Sequence, residues 1–497
     1  NSARILGVFH APAYSHYQLG DKILKELASR GHEVTVISPF PEKTPVKNFK
    51  QVVLTGAVEE LEKIKHNFFE RAGTSSFSQI LWVDIMGLQF TDDTLSHPNV
   101  QKLLKSDEKF DLVIVEQFVN EAFRGFCYRF QAPCVVVSTV GGSRWANPQM
   151  GNPAPPSYVP DITLSLSSYM NFCERFYNSL VYLGALLFSH LYTFPKQNEI
   201  LHKHFPDAPH LYDLYYNTSL MLMNSHVSTQ PAVPYVPNMI EIGGYHVSPP
   251  KPLPKDLQDY LDNAKEGVIF FSMGSNLRSA DLPKEKRDAI LRVFSKLKQK
   301  VLWKWESETL PGQPSNVKLS KWLPQQSILA HPNVKVFITH GGLLSTIETI
   351  YFGVPVVGIP VFGDQEMNVA NAEIAGYGIG VPFRALTEET LNSALDKILN
   401  DPKYTENAKR RSKIMHDQPT KPLDRAVFWV EYVLRHGGAP HLKTAALNLT
   451  WYQYLLLDVV AAVLLVTIIL SFTLCKIFKM LCKKKSVKKV ATGKKKN

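Results

Sequence analysis

Between Trp322 and Gln365 the chain reads WLPQQSILAHPNVKVFITHGGLLSTIETIYFGVPVVGIPVFGDQ, a run whose polar residues are of the types that hold a nucleotide, a diphosphate and a sugar in turn. Trp322 offers a flat face for a base. His340 and Ser345 carry donors suited to a diphosphate, Glu348 can accept from ribose hydroxyls, and Asp364 beside Gln365 can bridge vicinal hydroxyls of a sugar. A second set lies near the amino end. His16, in Ala11-Pro-Ala-Tyr-Ser-His16, can take a proton from a hydroxyl. Glu116 can bond its other ring nitrogen, fix the tautomer and stabilise the imidazolium once formed. Taken singly, each residue has a plainer reading: a strand-end histidine, a solvated loop histidine, a carboxylate paired with any base. It is the ordered set that points to chemistry.

The surrounding elements place these residues at sheet edges. The apolar run 334–338 reads as a buried strand ending at Thr339 and His340. Gly341 and Gly342 then make a tight turn, and residues 343–351 carry helical spacing. A strand feeding a glycine turn and a helix presents free N–H groups at the positive end of a helix dipole, where glycines let a phosphate approach closely. Glu348 is expected on the exposed side of that helix. Residues 271–275, Phe-Ser-Met-Gly-Ser, repeat the strand-to-glycine turn, so Gly274 and Ser275 can meet a diphosphate from another side; a simple turn is the alternative.

In the first half, strands are expected at 5–10, 33–38, 112–115 and 133–138, with a helix at 17–29. His16 then falls in the loop after the first strand and Glu116 at the end of another, on the carboxyl edge where parallel sheets take ligands. His10 and His32 read as structural. Beyond a proline cluster at 248–254, strands at 268–272, 301–303, 334–338 and 356–359 make a second parallel sheet. The fold class is α/β, with two Rossmann-like parallel-sheet domains facing across a cleft. Residues 172–194, rich in aromatics and leucines, suit an acceptor pocket, a membrane surface or a buried core helix.

The block at 322–365 is similar to the donor-binding signature of the UDP-glycosyltransferases, the microsomal family of animals. The match runs W-x-x-Q at Trp322 and Gln325, H-x-G at His340 and Gly342, then Ser345, Glu348, Pro355, Pro360 and D-Q at Asp364 and Gln365. The likeness extends over nearly the whole chain, from RGHEVTVISP to the lysine-rich tail, and WYQYLLLDV resembles the insect members. It implies the GT-B arrangement. It assigns Trp322 to uracil, Gln325 to the uridine, Glu348 to the ribose, His340 and Ser345 to the diphosphate, and Asp364 with Gln365 to the sugar. His16 matches the family's catalytic histidine. The family's partner aspartate is Glu116 here, one methylene longer, and the plant branch's Trp-Asn is Leu343-Leu344, so donor contacts from those side chains are absent. The expected organisation is an acceptor-binding domain at 1–247, a linker at 248–256 and a UDP-sugar-binding domain at 257–420. A return helix (424–436) and juxtamembrane segment then occupy 421–453.

The formal charge of +11 is not a nucleic-acid signal. Ten lysines and no acidic residue lie in 476–497, so +11 less ten leaves about +1 for residues 1–475, too little for a nucleic-acid footprint. The lysines follow residues 454–475, uncharged apart from Asp458. As a helix that stretch reaches roughly 33 Å, enough to cross a bilayer core. Lysines after the span put the tail in the cytosol and the body in the lumen of the endoplasmic reticulum, a single-pass type I arrangement. Lys494-Lys495-Lys496-Asn497 fits a dilysine retrieval signal, or simply ends a basic tail. A cleaved signal peptide is expected ahead of the first strand. Asn217 and Asn448 head sequons; Asn217 is the expected glycosylation site, since Asn448 sits close to the span. A Cys127–Cys134 bridge is compatible with their placement but not demanded by it. With Cys173 the luminal count is odd, which leaves at least one thiol unpaired.

The chain has no Asp-x-Asp pair of the kind that grips a metal–diphosphate, so no metal and no cofactor is expected; a UDP-sugar is a co-substrate. The expected reaction is a single in-line displacement in which His16 deprotonates a small lipophilic acceptor and an α-linked donor becomes a β-glycoside. Glucose is the favoured sugar, on the insect-like segments. The expected partners are the donor, the acceptor and a membrane reached through one helix; a homo-oligomer is compatible. Three alternatives stand beside this. One is UDP-glucuronate as donor. Another is a non-catalytic binder of UDP-sugars or lipophiles, which predicts a broken dyad or donor block. The third is a transporter, against which a single span cannot enclose a path.

Overall fold

The structure, a computed structural model, describes residues 2–493, with side chains up to residue 482. The dilysine signal at 494–496 lies outside the described residues. Strands form where apolar residues run nearly without interruption, as expected for parallel sheets covered on both faces. The first sheet contains β1 (Arg4–Val8), β2 (Glu33–Ser38), β3 (Phe49–Val53), β4 (Leu112–Gln117), β5 (Cys134–Ser138), β6 (Leu220–Met223) and β7 (Met239–Glu241). Their order across the sheet is β3-β2-β1-β4-β5-β6-β7. The second contains β8 (Val268–Ser272), β9 (Lys300–Lys304), β10 (Val317–Ser320), β11 (Val334–Thr339), β12 (Val356–Gly358) and β13 (Gly378–Gly380), in the order β10-β9-β8-β11-β12-β13. The ladders within both sheets are parallel. Each sheet is doubly wound, and chain order reverses between β1 and β4 in one and between β8 and β11 in the other. Ligands of open α/β sheets bind outside the carboxyl ends of the strands at such switch points.

Both faces of each sheet are packed. On one face of the first sheet, Ile5, Ile114 and Leu220 meet Leu24 and Leu27 of the helix Tyr14–Ser29 and Val427, Val430 and Val433 of the helix Pro422–Arg435. That second helix is the expected return helix, and Arg30 Nη2 donates to Asp424 Oδ1 at 2.6 Å across the junction. The second sheet's core takes in Leu61, Phe68 and Phe69 from the first half of the chain, and Phe69 stacks on Phe383.

Several expectations need correction. The first helix begins at Tyr14, capped by extended Ala13, so His16 sits in its first turn and not in a loop. β4 continues to Gln117, which puts Glu116 inside the strand. Residues 172–194 stay out of the cleft that holds His16, and although Val181, Ala185 and Phe194 are buried, the helix Phe172–Phe188 and the wider turn Ser189–Thr193 keep one apolar face exposed. Two other readings stand without correction: the Cys127–Cys134 bridge left open by the sequence is formed, and Cys173 is the free, exposed thiol that an odd count requires.

Residues from Thr444 onward form a separate unit. Leu456 takes a left-handed φ of 55°, which ends the short turn Trp451–Tyr454 and starts a helix over Leu457–Gly493. Its portion Leu457–Cys482 is long and apolar enough to cross a membrane, starting later and reaching further than the expected 454–475.

Candidate active site

The helix that carries His16 lies close against β1 because two glycines allow it. A Cβ on Gly20 would collide with the Phe9 ring, and one on Gly7 with Leu24. The close packing holds His16 beside β4, with Nδ1 2.5 Å from Glu116 Oε1. Donation to the carboxylate makes Nδ1 the protonated nitrogen and leaves Nε2 as the base. The imidazole meets the edge of Phe118, 4.7 Å between centroids. Glu116 is fully buried, which opposes its charge, yet His16 and His10 outweigh that and hold its carboxyl at about 2. His10, read as structural, faces the other oxygen, with Nδ1 3.6 Å from Oε2 and both side chains buried. That separation is too long for a hydrogen bond.

Across the cleft, β11 ends at Thr339, and Gly341 (φ 83°) turns the chain into the helix Leu343–Phe352. Gly342 caps that helix without a side chain, so its first-turn N–H groups stay open to an anion. The glycines serve the imidazole as much as a phosphate: a Cβ on Gly274 or on Gly342 would collide with the His340 ring. Burial, helped by the charge of Lys304, pushes His340 down to about 4. The ring is therefore neutral near pH 7 and can meet a diphosphate as a hydrogen-bond donor. Ser275, like Gly274, lines the cleft, and its carbonyl accepts from Lys65 at 3.4 Å.

Glu348 is only 4% exposed, contrary to its expected position. The helix Gln325–Leu329 packs over it. Gln325 Nε2 donates to Glu348 Oε2 at 2.7 Å and to Ser345 Oγ at 3.0 Å, and Gln326 Nε2 donates to Glu348 Oε1 at 2.8 Å. His246 Nε2 lies 3.5 Å from the same Oε1. A carboxylate oxygen has room for a second donor, so a ribose hydroxyl can still join. Trp322 is 63% exposed and meets Tyr14 of the facing domain edge-on at 5.9 Å. Asp364 accepts from Asn368 Nδ2 at 2.9 Å, and burial raises its pKa above the ordinary value. Gln365 Oε1 is occupied by the N–H groups of Val361 (2.9 Å) and Phe362 (3.2 Å), which leaves its Nε2 for a sugar.

Sequence reasoning missed Lys304, Gln326 and His246. Lys304 Nζ donates to the Gly274 carbonyl at 2.6 Å and lies 5.7 Å over the Trp322 ring. The pairing of β9 with β8 brings it there, and no local motif marks it. All three line, with His16, His340 and Asp364, one cleft of about 780 Å³. Its other end is apolar, formed by Trp82, Val83, Met86 and Phe90 of the helix Ser76–Ser96 with Phe118 and Ile162.

Behind that apolar end lies a buried polar cluster. Arg124 Nη2 donates to Gln117 and Gln149, and Gln117 Nε2 donates to Glu121 at 3.3 Å. Burial pushes the Glu121 carboxyl up to about 7 and that of Asp84 to about 6. An unfolded glutamate loses its proton near its ordinary value, about 4.3, whereas folded Glu121 keeps it to about 7. The folded state therefore binds more protons across that window, and stability falls as pH rises through it. Glu121→Gln cannot ionise. Denaturant unfolding should find it more stable than the parent by about 1–3 kcal/mol at pH 8 and nearly equal at pH 4. A difference independent of pH would contradict the burial of an ionisable Glu121.

An anion turn at one switch point, facing a histidine–carboxylate pair at another, defines a class: the two-domain glycosyltransferases of GT-B fold. The family described as UDP-glucoronosyl and UDP-glucosyl transferase matches residues 5–495, and the chain belongs to it as a UDP-glycosyltransferase. UDP-glycosyltransferase UGT5 of Dactylopius coccus is 40% identical, over 94% of this chain and 90% of its own. UDP-glucosyltransferase 2 of the same insect is 39% identical, over 97% of this chain and 93% of its own. Among solved structures, the glycotransferase of kitacinnamycin aligns with a TM-score of 0.58 at 18% identity, covering 87% of this chain and 99% of that one, a likeness of fold.

Proposed function

We propose that this chain is a membrane-anchored, inverting UDP-glycosyltransferase that moves glucose to a small lipophilic acceptor, with His16 as general base. The observation that carries the reading is the His16–Glu116 pair, 2.5 Å apart, opening on the same cleft as the anion turn at His340–Ser345. The acceptor's O–H proton passes to His16 Nε2 as its oxygen bonds the anomeric carbon. The bond from that carbon to UDP breaks on the opposite face, and its electrons leave with UDP. Ionised Glu116 stabilises the imidazolium. The growing diphosphate charge is met by the open N–H groups of the helix Leu343–Phe352, by His340, Ser345 and Lys304, and by no metal. Trp322 stacks on uracil, Glu348 holds the ribose with Gln325 beside it, and Asp364 with Gln365 holds the sugar. The apolar end of the cleft takes the acceptor.

Glucose is supported by the insect relative named as a glucosyltransferase. UDP-glucuronate is the second reading, favoured by a family description that covers both sugars. The helix Leu457–Cys482 supports a single-pass anchor, with the body in the endoplasmic reticulum lumen and the lysine tail in the cytosol. Asn217 is exposed, and its amide oxygen accepts from Lys443 at 2.6 Å, a contact that does not use Nδ2, the atom a glycan would join. The test supplies UDP-glucose or UDP-glucuronate in parallel with a panel of small phenols and reads the anomeric configuration of the product. A β-glucoside from the α-linked donor is expected. A retained α configuration would overturn the single displacement, and transfer from UDP-glucuronate alone would replace the sugar.

A further inference from the structure

The helix Phe172–Phe188 buries Asn178, Val181 and Ala185 on one side and carries large apolar side chains on the other as well. Asn178 is buried on its inner side, where its amide donates to the carbonyls of Pro156 (2.7 Å) and Val159 (2.9 Å) and its oxygen accepts from Asp161 N (2.8 Å). The outer side carries Phe172, Phe176, Leu180, Leu183 and Leu187 at helical spacing, all exposed, and Leu191 continues the stripe at 77% exposure. From Phe176 through Pro195 there is no Lys, Arg, Asp or Glu. A second exposed stripe, Phe77, Leu81 and Ile85, runs along the neighbouring helix Ser76–Ser96, and Phe77 meets the first helix at Gly184. Aromatic side chains border the surface: Tyr169, 93% exposed, and Tyr177 at one end, Tyr192 at the other.

Soluble monomers rarely leave so many large apolar side chains contiguous and in water. A polar inner anchor, an uncharged outer stripe and a rim of tyrosines are the pattern of a helix lying in the interface of a bilayer. The same chain supplies a bilayer through the helix Leu457–Cys482. We infer that the outer faces of Phe172–Phe188 and Ser76–Ser96 form a second membrane contact, seated about 5–10 Å into the headgroup and acyl boundary, separate from the anchoring helix. This rests on the membrane-anchored reading. The contact is apolar, so it should depend little on anionic lipid or salt. The helix Ser76–Ser96 then has lipid on one side and the apolar end of the cleft on the other.

The test uses the full chain with Cys173, Cys475 and Cys482 changed to serine, reconstituted in phosphatidylcholine vesicles. An environment-sensitive fluorophore is attached through Leu183→Cys or, as control, through the exposed Lys298→Cys. Flotation with the vesicles reads anchoring separately. The label at 183 should be quenched about twofold or more by nitroxide lipids and spared by an aqueous quencher, with the reverse at 298. A chain that floats while its 183 label answers only to the aqueous quencher would overturn this contact and leave the anchor standing. A label shielded from both quenchers, in a chain of doubled mass, would assign the surface to a second copy and overturn the lipid contact. A chain that does not float would remove the anchored reading and this inference together.

Discussion

His16→Ala is expected to lower kcat by about 10²–10⁴ while the Kd for UDP stays within about twofold. The loss follows from the distance of 2.5 Å that commits Nδ1 to Glu116 and leaves Nε2 as the base the site supplies to the acceptor. UDP affinity should survive because the residues read as holding UDP extend from the other sheet, at the ends of β8, β9 and β11 and along the helix Leu343–Phe352. Steady-state kinetics beside calorimetric UDP binding separate the two effects. Near-normal turnover would remove His16 from the chemistry, and a parallel loss of UDP affinity would mean the variant had disturbed the cleft itself. The substitution also leaves Glu116 buried with only His10 near its charge, so the variant's thermal stability belongs in the same comparison.

Glu348→Ala should act on the opposite quantity. The carboxylate accepts from Gln325 and Gln326 and lies 3.5 Å from His246, so its removal leaves Gln325 with Ser345 alone, Gln326 Nε2 without its acceptor, and takes the ribose partner away. Hydrogen bonds to a charged group contribute about 1.5–3 kcal/mol each, so one lost to the ribose predicts a UDP Kd raised roughly 10- to 100-fold. The effect on kcat at saturating donor should be much smaller. Calorimetric titration with UDP measures it directly. An unchanged Kd would show that Glu348 only braces Gln325 and Gln326 and does not touch the ribose.

The strands that could be read from sequence are those covered on both faces, such as β4 and β8, where apolar residues run without a break, and β11, broken only by Lys335. β3, β10 and β13 are short edge or near-edge strands with half-exposed or glycine residues, and their pairing comes from the sheet and not from their own pattern. The turn at His340–Gly342 was legible because a strand, two glycines and a helix are contiguous in the chain. Glu348 was misplaced because helical spacing alone cannot show that the helix Gln325–Leu329 closes over it. Lys304, His246 and Gln326 reach the cleft through strand pairing and packing, which leave no local signal. The segment 172–194 was ambiguous for a related reason: an apolar stripe has the same spacing whether it faces a core or a bilayer. The inward hydrogen bonds of Asn178, with Val181 and Ala185 buried beside it, show which way it points.

The most direct measurement is UDP release by membranes carrying the full chain, supplied with UDP-glucose and a panel of small phenols, with the His16→Ala variant in parallel. Release that requires an acceptor and disappears in the variant is the expected result. Tight UDP binding without acceptor-dependent release, from UDP-glucose or from UDP-glucuronate, would contradict it and leave a protein that holds the nucleotide without transferring the sugar.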